Sequence, residues 1–180
     1  MVGLASSVVL DEKSNAACAV ASSPGRVCLA WTGTDTRLNV LSSADGRTFG
    51  DKHTLPFRSY IIEHDTDSDG NSTQKTVPLA PALATNDDGD HLVWTGYDHG
   101  LTWYAFGGSG GGSLGEQTTD PPALAARGRD LWLAWTGTDR RLNLRAIEGG
   151  HWGQKWTLDE HSSCAPAVCA SATELALAWT

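Results

Sequence analysis

One short unit recurs along the chain, and it limits the possible folds more than any other feature. The segments LAWTGTDTRLN from Leu29, LVWTGYDHGLT from Leu92 and LAWTGTDRRLN from Leu133 are copies of it, and LALAWT from Leu175 is a fourth. Thirteen residues before each anchor, Trp31, Trp94, Trp135 and Trp179, stands the start of a small apolar run: Cys18-Ala-Val-Ala, Pro81-Ala-Leu-Ala, Pro122-Ala-Leu-Ala and Pro166-Ala-Val-Cys. A fixed period of this length means stacked supersecondary units rather than one irregular core.

The copy extends past the Trp. Phe49-Gly-Asp-Lys-His-Thr-Leu matches Trp152-Gly-Gln-Lys-Trp-Thr-Leu, and Leu158-Asp-Glu-His-Ser matches Leu10-Asp-Glu-Lys-Ser, 148 residues earlier. Clusters of Asp, Gly, Ser and Asn divide each unit into four short runs, PALA, LAWTG, RLNL and KxTL, which read as strands A to D. PPALAARGRDLWLAW has helical propensity, but Pro122 and Gly128 favour a hairpin there. Repeats of 41 and 44 residues between Trp94, Trp135 and Trp179, each with four antiparallel strands, are the pattern of a β-propeller blade. The expected fold is therefore all-β, a four-bladed β-propeller with four-stranded antiparallel blades. It spans 1–180 as a single domain, with an N-terminal strand at 6–12 closing onto the C-terminal blade at 164–180. The last blade lacks its strand C, so a piece of a larger propeller is the competing architecture, and the chain is expected to be a monomer or a dimer joined through the terminal blade.

Composition agrees with strands and turns: 20 Gly and eight Trp against one Met. With 21 acidic and 13 basic residues the net charge is −8, which opposes a nucleic-acid partner. No apolar run reaches the roughly 18–20 residues of a membrane helix, so no membrane partner is expected. Met1–Leu10 has no signal-peptide pattern, and localisation is left open, secretion included.

The units, AWTGTDTRLNVLSSADGRTFGDKHTL most fully, resemble sialidase-like, or Asp-box, propeller repeats of bacterial proteins. Ser43-Ala-Asp-Gly-Arg-Thr-Phe49 falls between strands C and D, where that family has its Asp-box, one residue shorter than S-x-D-x-G-x-T-W. Glu148-Gly-Gly-His-Trp152 and Gly110-Gly-Gly-Ser-Leu114 are weaker versions, whereas Asp98-His-Gly-Leu-Thr-Trp103 follows strand B and is an accidental match. The resemblance implies a turn device and a fold. It does not carry over sialidase chemistry, whose Arg trio, Tyr nucleophile and acid Asp are spread over six blades.

An insertion at 57–76 separates the first two units. Its Asp65, Asp67, Asp69 and Gly70 match the start of an EF-hand loop, so calcium is the expected cofactor, with Asn71 as a further ligand. Asp35, Asp98 and Asp139 follow strand B in successive units and share one face with that insertion. Each either caps its own turn or joins a ring of carboxylates at a channel mouth. His99, Glu160 and His161 are placed on the same face, and Trp103 is the aromatic ligand candidate because it does not recur. The repeated Trp residues are assigned to packing between blades. Four cysteines allow three pairings, of which Cys28 with Cys169 and Cys18 with Cys164 would staple a closed ring, the alternative being four buried thiols in an unstapled protein. No HExxH, GxSxG, P-loop or CxxC motif occurs, and no catalytic set recurs. The expected function is non-catalytic, lectin-like binding of a carbohydrate or polyol, with calcium assisting. The alternatives are a small enzyme with one site on the channel-mouth face, or a protein-interaction scaffold.

Overall fold

The computed structural model describes residues 7–107, 110–148 and 151–180, and every regular element within them is a β-strand. The first sheet holds β1 (Ala19–Ser23), β2 (Arg26–Thr32), β3 (Arg37–Ser43) and β4 (Gly50–Arg58). A separate hairpin follows, β5 (Tyr60–Thr66) and β6 (Ser72–Pro78). The second sheet is β7 (Ala82–Asn86), β8 (Gly89–Thr95), β9 (Gly100–Ala105) and β10 (Gly111–Gln117). The third is β11 (Ala123–Arg127), β12 (Asp130–Thr136), β13 (Arg141–Glu148) and β14 (His151–His161), and β15 (Ala167–Ala170) pairs with β16 (Leu175–Ala178) in a two-stranded sheet. All pairings join sequence neighbours in antiparallel register, so each repeat unit is a meander and the runs A to D are its four strands in order. The segment with helical propensity is the β11–β12 hairpin, running from Ala123 opposite Ala134 to Arg127 opposite Asp130.

The first strands of the sheets, β1, β7, β11 and β15, lie side by side in that order. Consecutive sheets therefore face one another, and the core lies between them. Cys28, Ala30, Leu38 and Val40 of the first blade pack on Leu83, Leu92 and Trp94 of the second. Val93, Leu101 and Leu114 of the second pack on Leu133 and Trp135 of the third. A strand covered on both faces needs no polar alternation, which is why Leu131, Leu133, Ala134 and Trp135 are all buried in β12.

Buried hydroxyls hold successive blades together. Thr32 Oγ1 donates to the carbonyl of Leu79 at 2.6 Å, Thr95 Oγ1 to that of Asp120 at 3.0 Å, and Thr136 Oγ1 to that of Cys164 at 2.7 Å. Each Thr ends a strand B, and each acceptor lies just before the next strand A. The turn after strand B is equally uniform. Gly33, Gly96 and Gly137 N–H each donate to the carbonyl four residues on, at 2.8 Å. The left-handed corner of each turn is taken by Thr36, His99 or Arg140, with φ of 67°, 64° and 68°. A Cβ on Gly137 would stand 2.6 Å from Asp139 Oδ1, so this turn excludes larger residues.

The β3–β4 turn holds the Ser43–Phe49 segment. Asp45 Oδ1 accepts from Thr48 N at 2.7 Å, Arg47 N at 2.8 Å and Ser43 Oγ at 2.9 Å. These donors, the backbone amide of Thr48 foremost, hold its carboxyl well below the usual carboxylate range.

The ends differ from the closed ring expected. Residues 7–12 form no strand, and β16 pairs only with β15. Instead, Ser14 Oγ and Asn15 N–H donate to the Thr32 carbonyl, as Ser162 Oγ and Ser163 N–H donate to that of Thr180. The N-terminal segment thus occupies, on its own first blade, the place that the end of a strand D takes on the blade after it. The fourth sheet presents the edge of β16, a strand B, and not the strand-C edge that a strand D pairs with in the other sheets. The exposure of Val20 and Trp179 marks the two uncovered ends of the series.

Two predictions follow from this packing. Leu133→Ala, at a fully buried seam position, should cost about 2–5 kcal/mol in urea unfolding, and Leu175→Ala in the part-exposed two-stranded sheet clearly less. Asp45, with its folded pKa depressed, contributes stability above the unfolded carboxylate pKa of about 3.9. That contribution disappears as pH falls through the folded value, so Asp45→Asn should flatten the acid limb of the stability profile and leave it unchanged in shape above about pH 5.

Candidate functional site

The face of a blade turned toward its predecessor carries the same side chains in blades one and three. Trp31 and Trp135 come from strand B, Asn39 and Asn143 from strand C, and Lys52 with Thr54, and Lys155 with Thr157, from strand D. Thr54 and Thr157 hydroxyls donate to the Asn39 and Asn143 side-chain oxygens at 2.7 and 2.8 Å, and those amides donate to the Arg37 and Arg141 carbonyls. The Asn–Thr pair is thereby fixed. Above it the Lys ammonium stands over the indole, 5.4 Å from the ring centre in Lys52–Trp31 and 5.9 Å in Lys155–Trp135.

The preceding segment supplies an acid. Lys52 Nζ pairs with Glu12 Oε2, and Lys155 Nζ with Glu116 Oε2 at 2.8 Å. Glu12 and Glu116 occupy the same position of the repeat, third residue of a Leu-x-Glu run. Half-exposed pairs of this kind contribute only about 0–1 kcal/mol to stability, so their recurrence is not explained by holding the blades together.

Each constellation borders an open cavity. One, of about 450 Å3, lies between blades two and three and is bordered by Asp98, Glu116, Gln117, Trp135, Asp139 and Lys155 among others. Its counterpart, about 460 Å3, is bordered by Asp11, Glu12, Trp31, Asp35, Asn39 and Lys52 among others. Both offer a charged donor, a charged acceptor and further carboxylates within one cleft, with a buried indole beneath the lysine.

Of the residues expected from sequence, Asp35, Asp98 and Asp139 border these cavities. Each also caps its turn, accepting the backbone N–H of Arg37, Gly100 or Arg141 at 3.1 Å. Asp98 and Asp139 border one cavity and Asp35 the other, so the three do not gather round one mouth. Trp103 meets Trp152 edge-on at 5.8 Å and lies so close to Gly110 that no Cβ fits there. His99 is the left-handed turn residue of blade two, its carbonyl accepting from Thr118 N–H, with Nδ1 enclosed and without a partner. His161 is exposed at the end of β14 opposite Arg141. No hydrogen bond joins these two histidines.

The insertion is a two-stranded hairpin whose base touches the B–C turn of blade two through the stacked rings of Tyr60 and Tyr97, 6.4 Å apart. At its tip Asp67 Oδ1 accepts from Asn71 N at 2.8 Å and Asp69 N at 3.0 Å, and Asp67 Oδ2 from the Asn71 amide at 3.0 Å. The Asn71 carbonyl accepts from Asp67 N–H. Those bonds, that of the Asn71 side chain first, hold the Asp67 carboxyl below its ordinary value. Among the described residues no three His, Cys, Asp or Glu side chains gather as a cation site would need.

All four cysteines are thiols. The expected staples are absent because the seam they would close is not formed: Cys18 and Cys28 belong to the first blade, Cys164 and Cys169 to the last. Cys28 is fully buried, and burial, aided by the nearby Asp90 carboxylate, pushes its thiol up to about 12.

Sequence reasoning missed Glu12, Lys52, Glu116 and Lys155, and gave Trp31 and Trp135 to packing alone. The signal was present as Leu-x-Glu paired with Lys-x-Thr-Leu, but the two halves of each pair lie 39 or 40 residues apart.

No family model and no curated protein matches the chain. Solved structures do, among them a mutant of Aleuria aurantia lectin in complex with Fucalpha1-6GlcNAc, TM-score 0.60, and the fucose-specific lectin from Aleuria aurantia, TM-score 0.56. Each is 10% identical, and the match covers 94% of this chain and 56% of the other, so this chain spans little more than half their length. The likeness places the all-β architecture among β-propellers.

Alkylation checks the cysteine environments: native protein should take up three labels promptly, at Cys18, Cys164 and Cys169, and the fourth, at Cys28, only on unfolding.

Proposed function

We propose that this propeller is a non-catalytic binding module for neutral carbohydrate, and that sugar is held in the seams between blades. The observation that carries the reading is the Glu–Lys pair over a Trp ring, repeated at Glu12–Lys52–Trp31 and Glu116–Lys155–Trp135. Adjacent hydroxyls of a pyranose both donate and accept, so a carboxylate beside an ammonium matches them, and the buried indole beneath holds the lysine in place. A repeated site is the arrangement expected of a lectin, whereas catalysis requires one complete set of groups. Propellers of like fold include a lectin bound to a fucosylated sugar and a fucose-specific lectin, which supports the same class of ligand.

Charge narrows the class. Asp98, Glu116 and Asp139 outnumber Lys155 around one cavity, and the whole chain carries −8. Neutral hexoses and deoxyhexoses are favoured over sialic or uronic acids. In this reading the four repeat units are four blade positions, the last with strands A and B only. Calcium at Asp65, Asp67, Asp69 and Asn71 is a separate proposal, which a calcium-dependent rise in melting temperature would support. No step of sugar binding is routed through it.

A glycan array is the test, with chelator in a parallel run. Neutral glycans should bind with or without chelator, and acidic glycans lacking a neutral terminal sugar should not. Lys52→Ala with Lys155→Ala should weaken binding roughly 10- to 100-fold, the scale of charged hydrogen bonds worth about 1.5–3 kcal/mol. Retention of only sialylated glycans would sink the reading.

A further inference from the structure

The seam between blades one and two departs from the other two in three places at once. The acid position of the preceding strand D is Phe57 in place of Glu12 or Glu116, the lysine position is Gly111, and the asparagine position is Thr102. The indole, Trp94, is kept and buried. Phe57 stacks on it at 5.0 Å and 28°, and leans on Tyr104 at 5.5 Å. At the other two seams a lysine ammonium stands over the indole. There the acid and the lysine are partners in a half-exposed pair. Both are replaced together, and the cavity at this seam, about 420 Å3, is lined by Phe57, Trp94, Trp103, Tyr104 and glycines in place of the acid and the lysine.

Resting on the reading above, we infer that the chain carries two sugar sites, at alternate seams, and that Phe57 is the residue that removes a third. The sites at Trp31 and Trp135 are then independent of each other, with one whole seam that lacks the acid and the lysine between them. Phe57 acts on binding capacity by standing at the acid's position, and on stability through the apolar contact it shares with Trp94.

Titration calorimetry with methyl glycosides of fucose, galactose, mannose and N-acetylglucosamine tests this on the intact chain. The wild type should saturate at two sites for the sugars it binds. Lys52→Met and Lys155→Met should each leave one site, and together none. Phe57→Leu should keep two sites while lowering the melting temperature. Phe57→Glu with Gly111→Lys should raise the number to three if Tyr104 yields the few tenths of an ångström that a Cβ 3.1 Å from its ring requires, and the lysine variants decide the matter should that protein not fold. One or three sites in the wild type, or two in either single lysine variant, would overturn the inference while leaving the carbohydrate reading intact. A wild type that binds none of these sugars, nor any neutral glycan on the array, would overturn both.

Discussion

The face-to-face burial of one sheet on the next is the constraint from which the remaining features derive. A four-stranded antiparallel meander has two faces, and here both are apolar along strand B, so an isolated blade would expose Leu, Val and Trp side chains to water. Stacking removes that surface, and the Thr hydroxyls at the ends of β2, β8 and β12 fix how far and at what angle successive blades sit. The apolar contact supplies most of the stabilisation, and the hydroxyl bonds set its geometry. Removing one such hydroxyl leaves a buried carbonyl unpaired, a penalty of about 1–3 kcal/mol.

The seams are also where chemistry becomes possible. Near the inner strands they are filled by Leu, Ala and Val; toward the outer strands the sheets diverge, and polar side chains from two different blades meet across the gap. A lysine from one blade and a glutamate from the segment before it form a donor and acceptor in one cleft without cost to either core. The same divergence frames the contact at the seam with Phe57. An aromatic side chain is long enough to reach Trp94 across the gap, and the cavity that remains there is lined by aromatic rings and glycines.

Much of the fold was legible in the sequence. The spacing of the four Trp anchors marked the repeat, and Pro122 and Gly128 marked a hairpin where propensity suggested a helix. Asp35, Asp98 and Asp139 were legible as turn caps but not as neighbours of clefts between sheets, because the sequence pattern grouped them round a channel mouth. The N-terminal closing strand and the disulfide staples were not found. Both depended on two distant ends meeting, which no local pattern encodes. Trp103 stood out because it does not recur, yet it fills space against Gly110; two of the indoles that do recur, Trp31 and Trp135, lie beneath the lysines of the clefts.

What the sequence determined by itself is the unit: four short strands, the turn chemistry between them and the apolar faces that must be covered. These are properties of neighbours along the chain, fixed by alternation, φ preferences and side-chain capping. Only the tertiary structure decided which groups face each other across a seam. Glu116 and Lys155 meet because consecutive blades are rotated copies whose strand-D positions come into register in space, and the 39 residues between them carry no trace of that rotation. The same rotation brings Phe57 onto Trp94, and so separates two clefts that are alike from a third that is not.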